Sequence, residues 1–577
     1  MNVDVYGGQY GVDATESMNA PTLAAFRFHS PRKAAVLYAG LEAMSIVGTE
    51  MSFADSPSAM ALLVLDSLAA RFGQVSIVDS VIDYGAAAVA GPAAVILTSR
   101  SLYLNNVYFR TSGAASLVHV PSANYTLAGP AASPSAWSYV GEVAVGVPIA
   151  TASCAGGAPM PTVVNGQRLP WGAYTHNVAI GTASAPAPAV TAQHAWDEAA
   201  WPVALDASPF HFNVRFFGAT GDGETDDTAA IQRALDKADS VAGGVVVLPK
   251  GFYRLSATLQ VRTPLIGVAR HLSVLMSASD GINGATDAAP APLVHVIDVP
   301  GVPALLTMLT IVTWEHLASV YAMQWDSHEH ESAYRQCYFY RITECLYGFP
   351  HPLPKPVPSP TIPCKPAATL AHALNVITGI HRITGSGRMW NFENEDFLYE
   401  GPAYRHMLVV NSASDMLRFY QLNLEHAGSE ANCELRGAHN VHIYSFKSEG
   451  YWPNCLDQRI PNPSVVLWIS EDSSQIRMYS YGGNAKPMST GTTYPPGFAQ
   501  FPPSLFRVSG TSTNITLTAL VDQFQYPPDN TWNMIADATF GDAANTFLSA
   551  HCDRPVLYKR CRGHWHANFL NRDTPEC

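Results

Sequence analysis

The sequence predicts an all-β protein built as a right-handed parallel β-helix, a single-stranded solenoid, in two tandem domains. Three observations predict it. Short apolar runs recur every few tens of residues, the composition is rich in turn residues and poor in charge, and one stretch repeats itself at an offset of 24 residues.

The chain has 577 residues, more than one hydrophobic core ordinarily holds, so two domains are expected. Hydrophobic residues make up 47% of it and charged residues 14%, a globular balance rather than a disordered one. Its 42 glycines and 42 prolines lie among short Val/Ile/Leu/Thr runs, which favours strands joined by turns. A net charge of -13 argues against nucleic acid or an anionic membrane as partner, and weakly against an acidic polymer. No run of eighteen apolar residues occurs, so no membrane span is expected. A monomer is expected.

In the first block the runs Leu23 to Phe28, Met44 to Val47, Val75 to Val78 and Leu102 to Val107 are separated by turn-like text. Each coil of a solenoid must bury its inner face against its neighbours, and this spacing is the trace of that need. Residues 1–150 are therefore expected to form a partial β-helix domain. The chain begins Met-Asn-Val-Asp-Val-Tyr-Gly-Gly, inside the repeat pattern and without a signal-peptide pattern, so this domain is expected to be shortened at its N-terminus. Residues 151–211 turn Ala/Pro-rich and read as a connector closing near Trp196 and Trp201.

Residues 212–577 are expected to form a complete β-helix domain. Its opening runs Phe212-Asn-Val-Arg-Phe-Phe-Gly-Ala-Thr-Gly-Asp-Gly-Glu-Thr-Asp-Asp-Thr-Ala-Ala-Ile-Gln-Arg-Ala-Leu235. Thr225 or Asp226 is placed to cap a helix with Asp226 and Asp227 in its first turn. Ala230, Ile231, Ala234 and Leu235 would share its buried face. Gly243 and Gly244 end the segment, and Val245 to Leu248 reads as a buried strand. The acidic residues are read as structural, capping a helix that plugs the end of the solenoid. A proline-rich stretch from Pro350 to Pro366 is read as an extended surface loop.

The most informative text is residues 416 to 485. Leu417-Arg-Phe-Tyr-Gln-Leu-Asn-Leu-Glu425-His426 aligns without a gap on Val441-His-Ile-Tyr-Ser-Phe-Lys-Ser-Glu449-Gly450. A third copy, Ile476 to Asn484, follows at an offset of 35, with Tyr451 to Pro463 as an inserted loop. Equivalent residues on successive coils lie about 4.8 Å apart. Glu425, Glu449 and Asn484 are thus expected to stack. Two carboxylates so close repel, which raises the pKa of one, and a protonated carboxyl beside an ionised one is what glycoside hydrolysis needs. Two other readings stay open: a solvated carboxylate ladder neutralised by Lys447 or Arg418, and a calcium site.

The string from Phe217 to Leu235, followed by Gly243 to Leu255, resembles the opening segment of the pectate-lyase-like superfamily. Leu424-Glu425-His426 and Tyr444-Ser-Phe-Lys-Ser-Glu449, in a tandem layout, resemble glycoside hydrolase family 55. That resemblance implies an inverting β-1,3-glucanase-like activity, with Glu449 as general acid and Glu425 helping to hold the attacking water. The opening segment occurs here in the second block only. His426, Lys447, Tyr451, Trp452 and Asn484 are the substrate-binding candidates, Tyr451 and Trp452 because they follow Glu449 directly and present rings to sugars. The partner expected is a polysaccharide or oligosaccharide. The alternatives are a calcium-dependent polysaccharide lyase and a non-catalytic β-helical glycan-binding adhesin.

Most other aromatics of the second block, among them Trp314, Trp325, Trp390, Tyr399, Tyr420, Trp468 and Tyr481, are expected in the core or in side-chain stacks. No metal site is expected: His328-Glu-His330 and His564-Trp-His566 each offer two imidazoles without a third ligand, and nine cysteines form neither a CxxC pair nor a zinc spacing. Calcium enters only under the lyase alternative, and no other cofactor is expected. The odd cysteine count leaves at least one without an intrachain partner. Sequons at Asn124 and Asn514, with the fold itself, suggest an extracellular or cell-wall setting. No G-x-S-x-G elbow or phosphate loop is present, which removes support for acyl transfer and nucleotide hydrolysis.

Overall fold

The computed structural model describes residues 3–17, 20–65, 74–85, 91–111, 116–130, 136–147, 162–165, 167–169, 173–196, 210–314, 317, 319–342, 379–394, 404–411, 415–425, 429–449, 465–484, 504–518, 533–537 and 556–561. Two arrays of parallel coils account for nearly all of them.

In the first array, the four apolar runs become Thr22–Ala24 with Phe26–His29, then Met44–Val47, Val75–Asp83 and Leu102–Arg110. They pair in parallel, with Leu23 beside Ile46, Ile46 beside Ile77, and Ile77 beside Leu104. Those residues fill one continuous core. Pairing turns antiparallel at the array's end. Trp137–Val145 lies antiparallel on Leu102–Arg110, and Tyr174–Ala183 lies antiparallel on Trp137–Val145. Reversed strands close an edge that a further parallel coil would otherwise extend.

The segment expected as a plain connector therefore carries structure. Tyr174–Ala183 belongs to the first array's sheet, while Thr162–Val164 pairs in parallel with Leu557–Arg560 at the far end of the second array. Its Ala/Pro-rich composition masked two short stretches of β-branched and aromatic residues. His194 and Trp196 follow the helical turn Ala189–Ala192 and are buried between the arrays.

The second array opens with the helix Thr228–Asp239, which buries Ala230, Ile231, Ala234, Leu235 and Ala238 against the first coils. Val245–Leu248 is a fully buried strand. The acidic residues hold this opening together by a route the sequence did not reveal. Asp226 and Asp227 precede the helix rather than entering its first turn. The carboxylate of buried Asp227, at the N-cap position, turns back to accept the Thr220 and Gly221 N–H groups at 2.6 and 2.9 Å. Asp226, one residue before the N-cap, accepts the Thr228 N–H at 3.1 Å in a local turn, so it is not the side-chain cap either, and no side-chain hydrogen bond caps this helix. Thr225 is not the cap: its N–H and hydroxyl both donate to Asp222.

Coils then stack along residues 245–518 on parallel pairs. No helix of the described residues is long and apolar enough to cross a membrane. Cys337 and Cys433 are free and buried, and Cys561 is disulfide-bonded. The stretch 350–366, Trp201, Tyr399 and the His564/His566 pair lie outside the described residues.

Candidate active site

The strand Leu417–Leu424 turns a corner at Gln421, whose φ of 65° is left-handed. Leu417, Phe419, Leu422 and Leu424 point into the coil. Arg418, Tyr420, Asn423 and Glu425 alternate with them and face outward. The next coil pairs Leu417 with Val441, Leu422 with Phe446 and Asn423 with Lys447, an offset of 24 throughout. The one after pairs Lys447 with Gly482 and Glu449 with Asn484. Outward residues therefore form columns. One is aromatic: Trp390, Tyr420, Tyr444 and Tyr479. A second is polar: Glu393, Asn423, Lys447 and Gly482. A third carries Glu425 and Glu449, and the backbone of Asn484 is in register with Glu449 on the next coil.

The two glutamates do not face each other bare. Lys447 Nζ lies 2.7 Å from a carboxylate oxygen of Glu425 and 2.7 Å from one of Glu449. Glu425 is 3% exposed and Lys447 7%, whereas the Glu449 side chain is 22% exposed. Burial is the largest influence on Glu425 and raises its pKa. Lys447 opposes the rise and Glu449 adds to it. Two opposed carboxylates hold the Lys447 ammonium in its charged form against a substantial burial cost. The neutralising partner is thus Lys447. Arg418 faces the other array instead, donating to Gln193 at 3.2 Å.

The backbone behind Glu425 is fixed. Its N–H donates to Asn394 O at 2.9 Å, and its carbonyl accepts from His406 Nε2 at 2.6 Å. A carbonyl only accepts, so His406 carries its proton on Nε2 and takes the Tyr404 hydroxyl proton on Nδ1 at 2.9 Å.

The first array adds a third carboxyl that the sequence reading missed. Glu42 is 2% exposed, and burial pushes its pKa up to about 8, with Lys447 lowering it and Glu449 and Glu425 raising it. It sits over Gly482, where a Cβ would come within 2.8 Å of the Glu42 Cβ. That glycine, in a column that elsewhere bears Glu, Asn and Lys, is the one signal in the sequence that something else occupies the place. The turn bearing Glu42 is latched from behind: Arg100 donates to Gly40 O at 2.6 Å and Ala39 O at 3.1 Å, and the Tyr38 hydroxyl donates to Glu42 O.

The aromatic column is the seam between the arrays. Trp390 stacks on Tyr420 at 3.9 Å, Tyr420 on Tyr444 at 4.9 Å, and Tyr444 on Tyr479 at 5.3 Å between ring centroids. Ala24, Val47, Val78 and Tyr103 of the first array cover it. His194 spans the seam, with Nε2 2.9 Å from Asp79 and Nδ1 2.8 Å from the Tyr420 hydroxyl. Elsewhere Trp325 is buried in the coil, Tyr481 packs into the same core, and Trp468 lies between the guanidinium groups of Arg405 and Arg507.

Of the substrate-binding candidates, Lys447 is at the centre of this cluster. Asn484 is in register above Glu449. His426, Tyr451 and Trp452 lie outside the described residues. Among the described residues no three His, Cys, Asp or Glu side chains group as metal ligands. His330 instead neighbours Arg388, at 3.2 Å.

Residues 211–291 match the family model described as rhamnogalacturonase A/epimerase, pectate lyase-like. Over 45 residues the chain is 62% identical to mannuronan C5-epimerase AlgE3 and 60% identical to alginate lyase 7, both of Azotobacter vinelandii. Each match covers 8% of this chain, and the chain spans only 2% and 5% of the length of those two relatives. Among solved structures, the surface adhesin PfbA of Streptococcus pneumoniae matches over 56% of this chain and 91% of its own, at 12% identity and a TM-score of 0.26. Residues 211–291 are thus similar to a pectate-lyase-like opening, and the coils that follow make the protein a parallel β-helix.

Proposed function

We propose that the protein is a polysaccharide-active enzyme that hydrolyses a neutral glycan at Glu449. The observation that carries this reading is the Glu425–Lys447–Glu449 arrangement, two carboxylates from successive coils sharing one ammonium at 2.7 Å each. Glu449 is the more exposed of the pair, so it is the carboxyl assigned to meet the sugar and to protonate the leaving oxygen, with a proton taken up from solvent when bound substrate draws it away from the Lys447 ammonium. Glu425 acts from behind it through Lys447, fixing where the charge and the proton reside. A β-1,3-glucan is the first substrate to test, on the strength of the resemblance carried by Glu425-His426 and the Tyr444 to Glu449 run.

A second reading, action on a polyuronate, is favoured by the matches to an alginate lyase and a mannuronan epimerase. Charge speaks against it. Two glutamates share one lysine here, which leaves the cluster net negative, and a polymer bearing a carboxylate on every ring would meet like charge.

The test is reducing-end release by the full chain over laminarin, other neutral glucans, alginate and pectate, alongside Glu449→Gln. Turnover of a neutral glucan with at least a roughly hundredfold loss in the variant is expected. Equal turnover by both proteins would remove Glu449 from the mechanism. Unsaturated, ultraviolet-absorbing ends from alginate or pectate would establish the second reading.

A further inference from the structure

Glu42 stands about 400 residues from the glutamates of the second array in sequence, yet it lies over Gly482, the neighbour of Lys447 on the next coil, and feels the charge of that lysine. Its surroundings are specific. Beneath it is Gly482, the position directly in register with Lys447, and a side chain at 482 would collide with it. The charged and titratable groups that face it are Lys447, Glu449 and Glu425 from the second array. Tyr38 and Arg100 flank its own turn. A carboxyl brought to a buried cation from a separate array, over a glycine that makes room for it, is more than a cap on the interface.

We propose that Glu42 is a working part of the Glu425–Lys447–Glu449 site, a positioning residue that carries a proton and thereby leaves the Lys447 ammonium shared between the two glutamates of the coils. An ammonium has three N–H donors and no more. Were Glu42 ionised, a third carboxylate would compete for them, and one cation would face three negative charges out of water. The neutral carboxyl avoids this while remaining within the electrostatic reach of the cluster. The first array then completes the site instead of merely covering it. The role in turnover rests on the hydrolytic reading above, whereas the coupling of Glu42 to the cluster does not.

Infrared pH titration of the full chain tests the coupling without any substrate. A protonated buried carboxyl band should be present at pH 7, disappear around pH 8, and be missing from Glu42→Gln. Glu449→Gln should shift that midpoint downward, because it removes a negative charge, and Lys447→Met should shift it upward, because it removes a positive one. A midpoint unmoved by Glu449→Gln would overturn the proposal, since burial alone would then explain the proton. Glu449→Gln changes a partly exposed side chain, so this arm remains decisive if Lys447→Met fails to fold. Kinetics supply the second arm. Parent kcat should fall about tenfold per pH unit above the midpoint, and Glu42→Gln should lose that alkaline limb. A limb retained in Glu42→Gln would deny Glu42 a role in turnover. Shifted midpoints in a protein that hydrolyses no glycan would instead sink the hydrolytic reading and leave the coupling standing.

Discussion

Two columns on one coil face are built by the same register and meet opposite fates. The aromatic column, Trp390 to Tyr479, is sealed by the first array, with Tyr444 only 1% exposed. Five residues further along the chain, the column of Glu425 and Glu449 comes to the rim, where Glu449 keeps contact with solvent. Coil geometry gives both columns their spacing. What separates a seam from a site is how far the first array reaches across, and its last contribution is Glu42.

The sharpest way to break that contrast is to remove a ring from the seam. Tyr444→Ala should destabilise the protein by about 4 kcal/mol, the cost of a large buried aromatic truncated to a cavity, read by chemical denaturation. Lys447→Met should cost about 3 kcal/mol, because it strands buried Glu425 without its cation; a loss well below 1 kcal/mol would mean that the cluster is hydrated. Asp79→Asn should cost about 1 kcal/mol by weakening the charge-assisted bond to His194, with enzymatic turnover largely kept if seam and site are separable.

The smallest effect is also the most discriminating, because the buried histidines beside the seam and Glu42 beside the site respond to pH with opposite sign. Burial lowers the pKa of His194 and drives that of His442 well down. Each is neutral in the fold while its unfolded counterpart protonates near 6.5, so the stability they contribute is lost as pH falls through that value. Glu42 runs the other way. Its folded pKa of about 8 lies above its ordinary 4.5, so the stability it contributes is full below 4.5 and is lost as pH rises through 8. Thermal melts from pH 5 to 9 should therefore show Glu42→Gln gaining Tm over the parent at pH 9 and not at pH 5. A constant difference across the range would mean that Glu42 titrates at its ordinary value in the fold and is ionised throughout.

The sequence was informative wherever a structural constraint repeats. Offsets of 24 and 35 residues stated the register of Glu425, Glu449 and Asn484 before any coordinate, because each lap must return the same residue types to the same face. The four apolar runs of the first block likewise marked its strands. Tertiary packing left no such mark. Nothing periodic ties Glu42 to Lys447, and the pair meets only because two arrays dock. Asp227 resembled a helix cap by its position, yet its carboxylate serves the preceding loop. Spacing places Lys447 as a neutralising neighbour, but its equal division between two glutamates is a matter of side-chain reach, which sequence spacing does not encode.

One lap between these columns is 24 residues long and the next is 35, yet both bring their residues into the same register. The longer lap rejoins the stack without shifting the pairing. Laps can therefore be lengthened, trimmed or exchanged while the columns keep their alignment. In such a scaffold new selectivity is reached through insertions and deletions at least as readily as through substitutions.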